Sequence, residues 1–250
     1  FIVPSGEIED VEVCHEIVDS KLKLKTASSE SLFKLGKIQS FGLKKLVMSG
    51  PETKIDILSE GRHKNASGIF ELKGQAVDES KNSGIYIKEG AKVNVTALYD
   101  PQIVYLEQPG SKVQIDGKDT EFNVSRKSQT SKTSPLFYFF YVGNQTFQVS
   151  DEANVNIHAE KSRSLAIRMS GDANKIIVES GAKLKVNTEG AASGQTSDYN
   201  NNSQAIVFTE GYAGNKYKAK NSFEIIGEGT HVKMVSKKGG AIYSPYSKLD

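Results

Sequence analysis

One short segment, Ser164–Asn187, constrains the fold of this chain more than any other. It contains three β-type runs, Ala166–Met169, Lys175–Glu179 and Lys183–Val186, in which apolar and polar residues alternate. This alternation is typical of strands that are buried on one face only. Turn-forming residues, mainly Gly, Ser, Asp and Asn, separate the runs. Three strands this short cannot bury their own apolar faces, so the segment needs copies of itself on which to stack.

The same order of strand, turn, strand, turn and strand recurs along the chain. We name the three strands of a unit the lead, second and third strands; in one unit they are Ile69–Leu72, Gly84–Ile87 and Lys92–Val95. Lead strands begin at residues 69, 103, 137, 166, 205 and 241, so their spacings are 34, 34, 29, 39 and 36 residues. A constant strand order with variable spacing is typical of a solenoid whose loops differ in length.

The turn before the third strand has the most regular chemistry, as in Glu89–Lys92, Ser180–Lys183 and Glu228–His231. Gly supplies the positive φ that a tight corner needs, and the small residue beside it fits inside the bend. Because this chemistry recurs, we expect the corners to stack along one edge of the solenoid.

Residues 1–68 follow the repeat less closely. Glu7–Ser20 fits either a strand pair or a short capping helix. Four other runs have the composition of strands from earlier coils: Val11–Val13, Lys21–Lys25, Leu43–Met48 and Lys54–Leu58. The sequence therefore predicts one continuous domain, with an N-terminal capping region and irregular first coils in 1–68 and regular coils in 69–250.

Composition limits the classes of partner. The net charge of +2 is too balanced to indicate nucleic-acid binding. Only four of the 32 basic residues are Arg, and the excess of Lys indicates a soluble surface with protected sheet edges rather than phosphate recognition. No apolar run is long enough to span a bilayer, so we expect no membrane insertion. Cys14 is the single cysteine, so no intrachain disulfide can form.

Three segments suggest a family. Their shared pattern is an apolar triplet, a Gly-Ala-Lys-like corner, a second apolar triplet and later an Ala-Ile-aromatic strand; the segments are SGIYIKEGAKVNVTA, NKIIVESGAKLKVNTEG and NSFEIIGEGTHVKMVSKKGGAIYS. Over roughly residues 66–245 the chain resembles the pectate-lyase-like adhesive domain of Gram-positive surface proteins. The resemblance implies a right-handed parallel β-helix that is displayed on the cell wall within a larger anchored protein.

These observations together predict an all-β fold, a right-handed parallel β-helix with three strands per coil and about seven coils. We expect two buried ladders, each on its own sheet. The first comprises Ile69, Ile103, Ile167, Ile206 and Ile242, and the second comprises Val93, Val155, Leu184 and Val232.

Parallel β-helices include enzymes that act on acidic polysaccharides, and such chemistry needs clustered outward carboxylates. If the lead strands are aligned on their first buried residue, the next, outward position contains one cation and no acid: Phe70, Val104, Tyr138, Arg168, Val207 and Tyr243. Acids on the second strands, such as Glu179 and Glu224, are scattered singly. The four His show no metal-ligand spacing, and the oxygen-rich run Asp198–Asn202 lacks the spacing of a known Ca²⁺ loop. We therefore predict no catalytic residues, no metal and no cofactor.

The outward column of lead-strand residues is the predicted ligand-binding surface, carried by Tyr138, Arg168, Val207 and Tyr243. Exposed aromatic and apolar side chains in a row would suit a protein segment or a sugar face. Two alternatives remain open. The loops Ser125–Pro135 and Asn187–Gln204 could cover the column, or a register slip of one residue could turn it inward.

The function that follows is a non-catalytic extracellular adhesin or surface-display module of a Gram-positive bacterium. Its expected partner is a host extracellular-matrix protein or glycan, and we expect a monomer within a larger wall-anchored protein. Two alternatives stay open: a polysaccharide-active enzyme of similar fold, and a purely structural stalk.

Overall fold

The computed structural model describes residues 13–26, 31–35, 44–61, 68–74, 83–99, 102–127, 135–140, 142–160, 165–189, 204–209, 219–237, 239–244 and 247–249. Every regular element in these residues is a β-strand. In chain order the strands are β1 (Val13–Val18), β2 (Lys21–Thr26), β3 (Phe33–Leu35), β4 (Lys44–Ser49), β5 (Lys54–Ser59), β6 (Gly68–Lys73), β7 (Gly84–Lys88), β8 (Lys92–Ala97), β9 (Gln102–Glu107), β10 (Lys112–Asp116), β11 (Glu121–Arg126), β12 (Pro135–Phe139), β13 (Thr146–Ser150), β14 (Asn154–Ala159), β15 (Leu165–Ser170), β16 (Lys175–Glu179), β17 (Lys183–Thr188), β18 (Gln204–Thr209), β19 (Ala219–Ile226), β20 (His231–Ser236), β21 (Ile242–Tyr243) and β22 (Ser247–Leu249).

The strands form three sheets in which every neighbouring pair is parallel. The lead-strand sheet has the order β3-β6-β9-β12-β15-β18-β21, and the third-strand sheet has the order β2-β5-β8-β11-β14-β17-β20. The second-strand sheet has eight strands in the order β1-β4-β7-β10-β13-β16-β19-β22. Each coil thus gives one strand to each sheet. The predicted parallel β-helix with three strands per coil and about seven coils is confirmed.

The first coils already follow this pairing. β2 pairs with β5 and β5 with β8, so that Lys21, Lys54 and Lys92 lie side by side. The sequence analysis did not identify β3, which is only three residues long. Its Phe33 stacks on Phe70 of the next coil, with ring centroids 5.1 Å apart. Of Glu7–Ser20, the part from residue 13 onward contains strand β1, and residues 7–12 lie outside the described part.

The interior is a continuous apolar core to which all three sheets contribute. The predicted ladder of Val93, Val155, Leu184 and Val232 is confirmed, and Phe122 completes it.

Aromatic rings join neighbouring coils within that core. Phe122 of the third-strand sheet packs edge-on against Phe70 and Phe137 of the lead-strand sheet, at 6.3 and 5.7 Å. Phe137 in turn contacts Phe147 of the second-strand sheet at 5.5 Å. Edge-to-face contacts of this kind stabilise a fold by about 0.5–1.5 kcal/mol each beyond the area that they bury.

The corners before the third strands stack as predicted. Ser180 and Gly181 both have positive φ, 54° and 76°, and the Glu152 N–H of the previous coil donates to the Ser180 carbonyl at 3.0 Å. A small, fully buried residue fills the inside of each successive bend: Thr53, Ala91, Thr120, Ala153 and Ala182.

A second stack of buried polar residues lies at the start of the second strands. The Gln145 N–H donates to Asn174 Oδ1 at 3.0 Å, and the Asn174 N–H donates to Asn221 Oδ1 at 2.9 Å. The Gln145 side chain donates to the Leu106 carbonyl at 3.1 Å. These bonds satisfy backbone groups where the chain turns between coils, as buried backbone groups require.

Candidate functional site

The lead-strand sheet places the four predicted ligand-binding residues in one column. Tyr138 pairs with Arg168, Arg168 with Val207 and Val207 with Tyr243. The column faces away from the core, because the residues on either side of it, such as Phe137 and Phe139, belong to the apolar core whereas Tyr138 does not.

The alignment of the two earlier coils was wrong by one residue. Phe70 pairs with Val104, and Val104 pairs with Phe137, so both lie on the core side. The outward residues of these coils are Glu71 and Tyr105, which continue to Tyr138. Ile69 and Ile103 therefore do not share a ladder with Ile167, Ile206 and Ile242. The outward column does contain an acid.

The reason for this error is that lead strands are buried on both faces. β9, for example, is buried from Gln102 to Leu106 without alternation, and β15 and β18 are buried at every position. Such strands show continuous apolar runs and so give no period-2 signal from which the register could be taken.

The outward column is covered rather than exposed. Tyr138 is 9% exposed, Arg168 8% and Val207 0%, and Tyr243 is half-buried. The Arg168 guanidinium lies 5.1 Å above the Tyr138 ring, and its Nε donates to Thr209 Oγ1 at 3.4 Å. The expectation of an exposed strip is thus wrong for these three residues. The loop segments 128–134 and 190–203 lie outside the described residues.

Glu71 forms an ionic cluster at the N-terminal end of this column. It is 2% exposed and accepts a hydrogen bond from Ser31 Oγ at 2.6 Å. Lys73 Nζ lies 3.3 Å and Lys34 Nζ 3.9 Å from its Oε1. The two cations lie close enough to compensate the charge of this carboxylate, which would be costly to bury without partners.

Tyr105, next to Glu71 in the column, is fully buried and its hydroxyl donates to Glu107 Oε2 at 3.1 Å. Burial, and then the charge and hydrogen bond of Glu107, raise the pKa of Tyr105 far above its ordinary value of 10.0. The phenol therefore stays neutral and acts as a hydrogen-bond donor. On this face, therefore, Glu71 is paired with two lysines and the Tyr105 hydroxyl is bound to Glu107.

The third-strand sheet, by contrast, presents an open face. Exposure alternates along each of its seven strands; in β17, Lys183 and Lys185 are exposed, whereas Leu184 and Val186 are buried. Seven rungs at about 4.8 Å give this face a length of roughly 29 Å. We name it the open face.

A ladder of side-chain amides runs along the centre of the open face. Asn156 Nδ2 donates to Asn123 Oδ1 at 2.8 Å, Asn123 Nδ2 donates to Asn94 Oδ1 at 2.9 Å, and Asn94 Nδ2 donates to Asp56 Oδ1 at 2.8 Å. All three bonds run in the same direction and end on a carboxylate, an arrangement in which the bonds polarise one another.

Sequence reasoning missed this ladder because it compared outward positions only on lead and second strands. The signal was present at the third residue of each third strand. From β2 to β20 that position reads Lys23, Asp56, Asn94, Asn123, Asn156, Lys185 and Lys233.

Within the described ranges, no group of three or more His, Cys, Asp or Glu side chains is arranged to hold a metal ion. The run Asp198–Asn202 lies outside those ranges. None of the described residues forms a helix of the length and hydrophobicity that crossing a membrane requires.

Comparison of the chain with protein-family models, with curated proteins and with solved structures finds no match. The resemblance to the adhesive domain of Gram-positive surface proteins therefore stays a prediction from the sequence motifs.

Proposed function

We propose that this chain is a non-catalytic binding module of an extracellular Gram-positive surface protein, and that its open face contacts a host or cell-surface glycan or protein. The observation that carries the proposal is the difference between the faces. The open face offers exposed or half-buried polar side chains on every rung, whereas Arg168 and Val207 of the lead-strand column are buried. A rigid row of rungs with fixed spacing suits an extended partner, since little ordering entropy is lost by the protein on binding.

The acids of the open face are already engaged. Asp56 accepts the terminal hydrogen bond of the amide ladder, and Glu121 forms an ion pair with Lys92 at 3.1 Å. They lie on different rungs and satisfy neighbouring side chains, whereas glycoside hydrolysis needs two carboxylates that flank one bond. This arrangement favours binding over catalysis on this face.

A polysaccharide-active enzyme is the second candidate, and Glu71 is the observation that favours it. An acid does occupy the outward column of the lead-strand sheet, where the sequence alignment had placed none. Release of reducing or unsaturated sugar from an acidic polysaccharide, abolished by Glu71→Gln, would support the enzyme and contradict the binding module.

A binding screen of the purified chain against matrix proteins and glycans tests the proposal. We expect at least one ligand whose binding is weakened by substitutions on the open face, such as Asn156→Trp. Because Asn156 is exposed, this bulky residue should block the face without disturbing the core. A chain that binds nothing in the screen would instead fit the structural stalk.

A further inference from the structure

We propose that the C-terminal part of the open face binds a sulfated glycosaminoglycan, through a quartet of three lysines, Lys183, Lys185 and Lys233, together with His231. This inference rests on the proposed function and names the ligand class of the same face. The four side chains are exposed and occupy two adjacent strands, with Lys183 opposite His231 and Lys185 opposite Lys233. They define a rectangle of about 4.8 Å across the strands and about 6.6 Å along them.

Among the residues that the structure describes, no carboxylate forms an ion pair with Lys183, Lys185 or Lys233. Like charges directly opposite each other on neighbouring strands destabilise a sheet. Repulsion between Lys185 and Lys233 therefore lowers the stability of the ligand-free protein, and an anionic ligand would relieve that repulsion.

Two lysines at the N-terminal end of the open face form ion pairs. Lys21 Nζ lies 3.3 Å from Glu52, and Lys25 Nζ lies 3.0 Å from Glu60. Lys23 stands opposite Asp56. Lys21 and Lys25 thus have acidic partners within the fold, whereas the three lysines of the quartet form no ion pair with a described carboxylate.

The chemistry of the face favours a sulfated glycan over other anions. None of its described outward positions carries Phe, Tyr or Trp, so it has no platform on which nucleobases or neutral sugar rings would stack. Its cations are Lys rather than the Arg that reads base edges. Lys is a compact point charge, which suits sulfate groups on a linear chain. Beside the quartet, the Asn156 amide has a second N–H, which can donate to a sugar hydroxyl.

Heparin and chemically desulfated heparin are the probes, with binding measured by calorimetry at low and physiological salt. Two variants carry the same change in net charge: Lys185→Gln with Lys233→Gln, and Lys21→Gln with Lys25→Gln as the matched control. We expect the intact chain to bind heparin more tightly than its desulfated form. The quartet variant should bind about tenfold more weakly, whereas the control should change by no more than about twofold.

Melting temperatures provide an independent readout. Without ligand, the quartet variant should melt at or above the temperature of the intact chain, because a repulsive pair is gone. Heparin should raise the melting temperature of the intact chain and of the control variant more than that of the quartet variant.

Several outcomes would overturn the inference. Equal loss of binding in both variants would show a general charge effect, and equal binding of desulfated heparin would exclude sulfate recognition. Tighter, quartet-dependent binding of single-stranded RNA would assign the face to nucleic acid. If heparin does not bind but the screen finds another ligand that Asn156→Trp blocks, the glycosaminoglycan assignment fails and the proposed function survives. If no ligand is found at all, both fail.

Discussion

The side-chain amide of Asn123 donates a hydrogen bond to the side-chain carbonyl of Asn94, 2.9 Å away on the preceding coil. Asn123 also accepts from Asn156 at 2.8 Å, so it is the middle member of the amide ladder. Neither bond exists until two coils have stacked. The ladder therefore links rungs from the outside of the β-helix, while the aromatic contacts link them from within.

Replacement of Asn123 by Ala should remove both of these ladder bonds and lower the free energy of unfolding by about 1–2 kcal/mol. The measurement is denaturant unfolding. Asn154→Ala is the matched control, since Asn154 lies on the same face but its side chain donates to the Glu152 carbonyl, at 3.3 Å, and takes no part in the ladder. Equal losses from the two substitutions would contradict a role of the ladder in stability.

Asn174→Ala should destabilise the fold more than a typical polar substitution. Asn174 is fully buried, and its Oδ1 accepts the Gln145 N–H at 3.0 Å. Its loss would leave a buried donor unpaired, at a cost of about 1–3 kcal/mol. Lys175→Ala, at the exposed neighbouring position, should have little effect in the same unfolding experiment. If Asn174→Ala leaves the free energy of unfolding unchanged, the turn does not depend on this bond.

Truncation of side chains in the covered lead-strand column should lower the stability of the fold. Tyr138 is 9% exposed, and its ring packs against Phe140 and Tyr105 at 5.1 and 5.9 Å. Tyr138→Ala should lower the free energy of unfolding by about 3 kcal/mol, as for other buried aromatic residues. Calorimetric melting checks this. If the variant with both Tyr138→Ala and Arg168→Ala melts like the intact chain but loses its ligand, the ligand lies on the lead-strand face after all.

The free energy of unfolding should depend on pH because of the carboxyl pair Asp151 and Asp116. A hydrogen bond with Asp116, and then burial and the Asp116 charge, raise the pKa of Asp151 above its ordinary value of 3.8. A carboxyl group whose pKa is higher in the folded than in the unfolded state stabilises the fold when it is protonated. This contribution to the free energy of unfolding is complete below pH 3.8 and is lost as the pH rises through the raised value.

Asp151→Asn should therefore be more stable than the intact chain at pH 7, by a few tenths of a kcal/mol for so exposed a pair. The difference should shrink below pH 3.8. Asn also accepts the positive φ of 49° at this position. Asp119→Asn, at another positive φ of 63°, controls for the backbone effect. A pH-independent difference would indicate conformation rather than charge.

Turn chemistry and strand alternation were sufficient to predict the coil. The corner with Ser180 and Gly181 and the alternating strand Lys183–Val186 are local features, so the sequence contains all the information needed to place them. Strand β3 was not predicted because Phe33–Leu35 is too short to show an alternation of apolar and polar residues.

The candidate site was harder to predict, since burial of an outward face depends on what covers it. The sequence grouped Tyr138, Arg168, Val207 and Tyr243 correctly in one column. A continuous apolar run such as Ala205–Phe208 is typical of a strand buried on both faces, but it does not show what covers the outer face. Arg126 shows the same limit. It is fully buried between Ala97 and Ala159, although Arg is rarely fully buried in proteins.

Lysine acetylation footprinting, read by mass spectrometry with and without heparin, tests the central claim that the open face is the binding surface. Lys183, Lys185 and Lys233 should be protected by the ligand, whereas the exposed Lys175 of the second-strand sheet should react equally in both states. The same comparison applies to any other ligand from the screen. Protection of Lys175 with no change at the three open-face lysines would contradict the account.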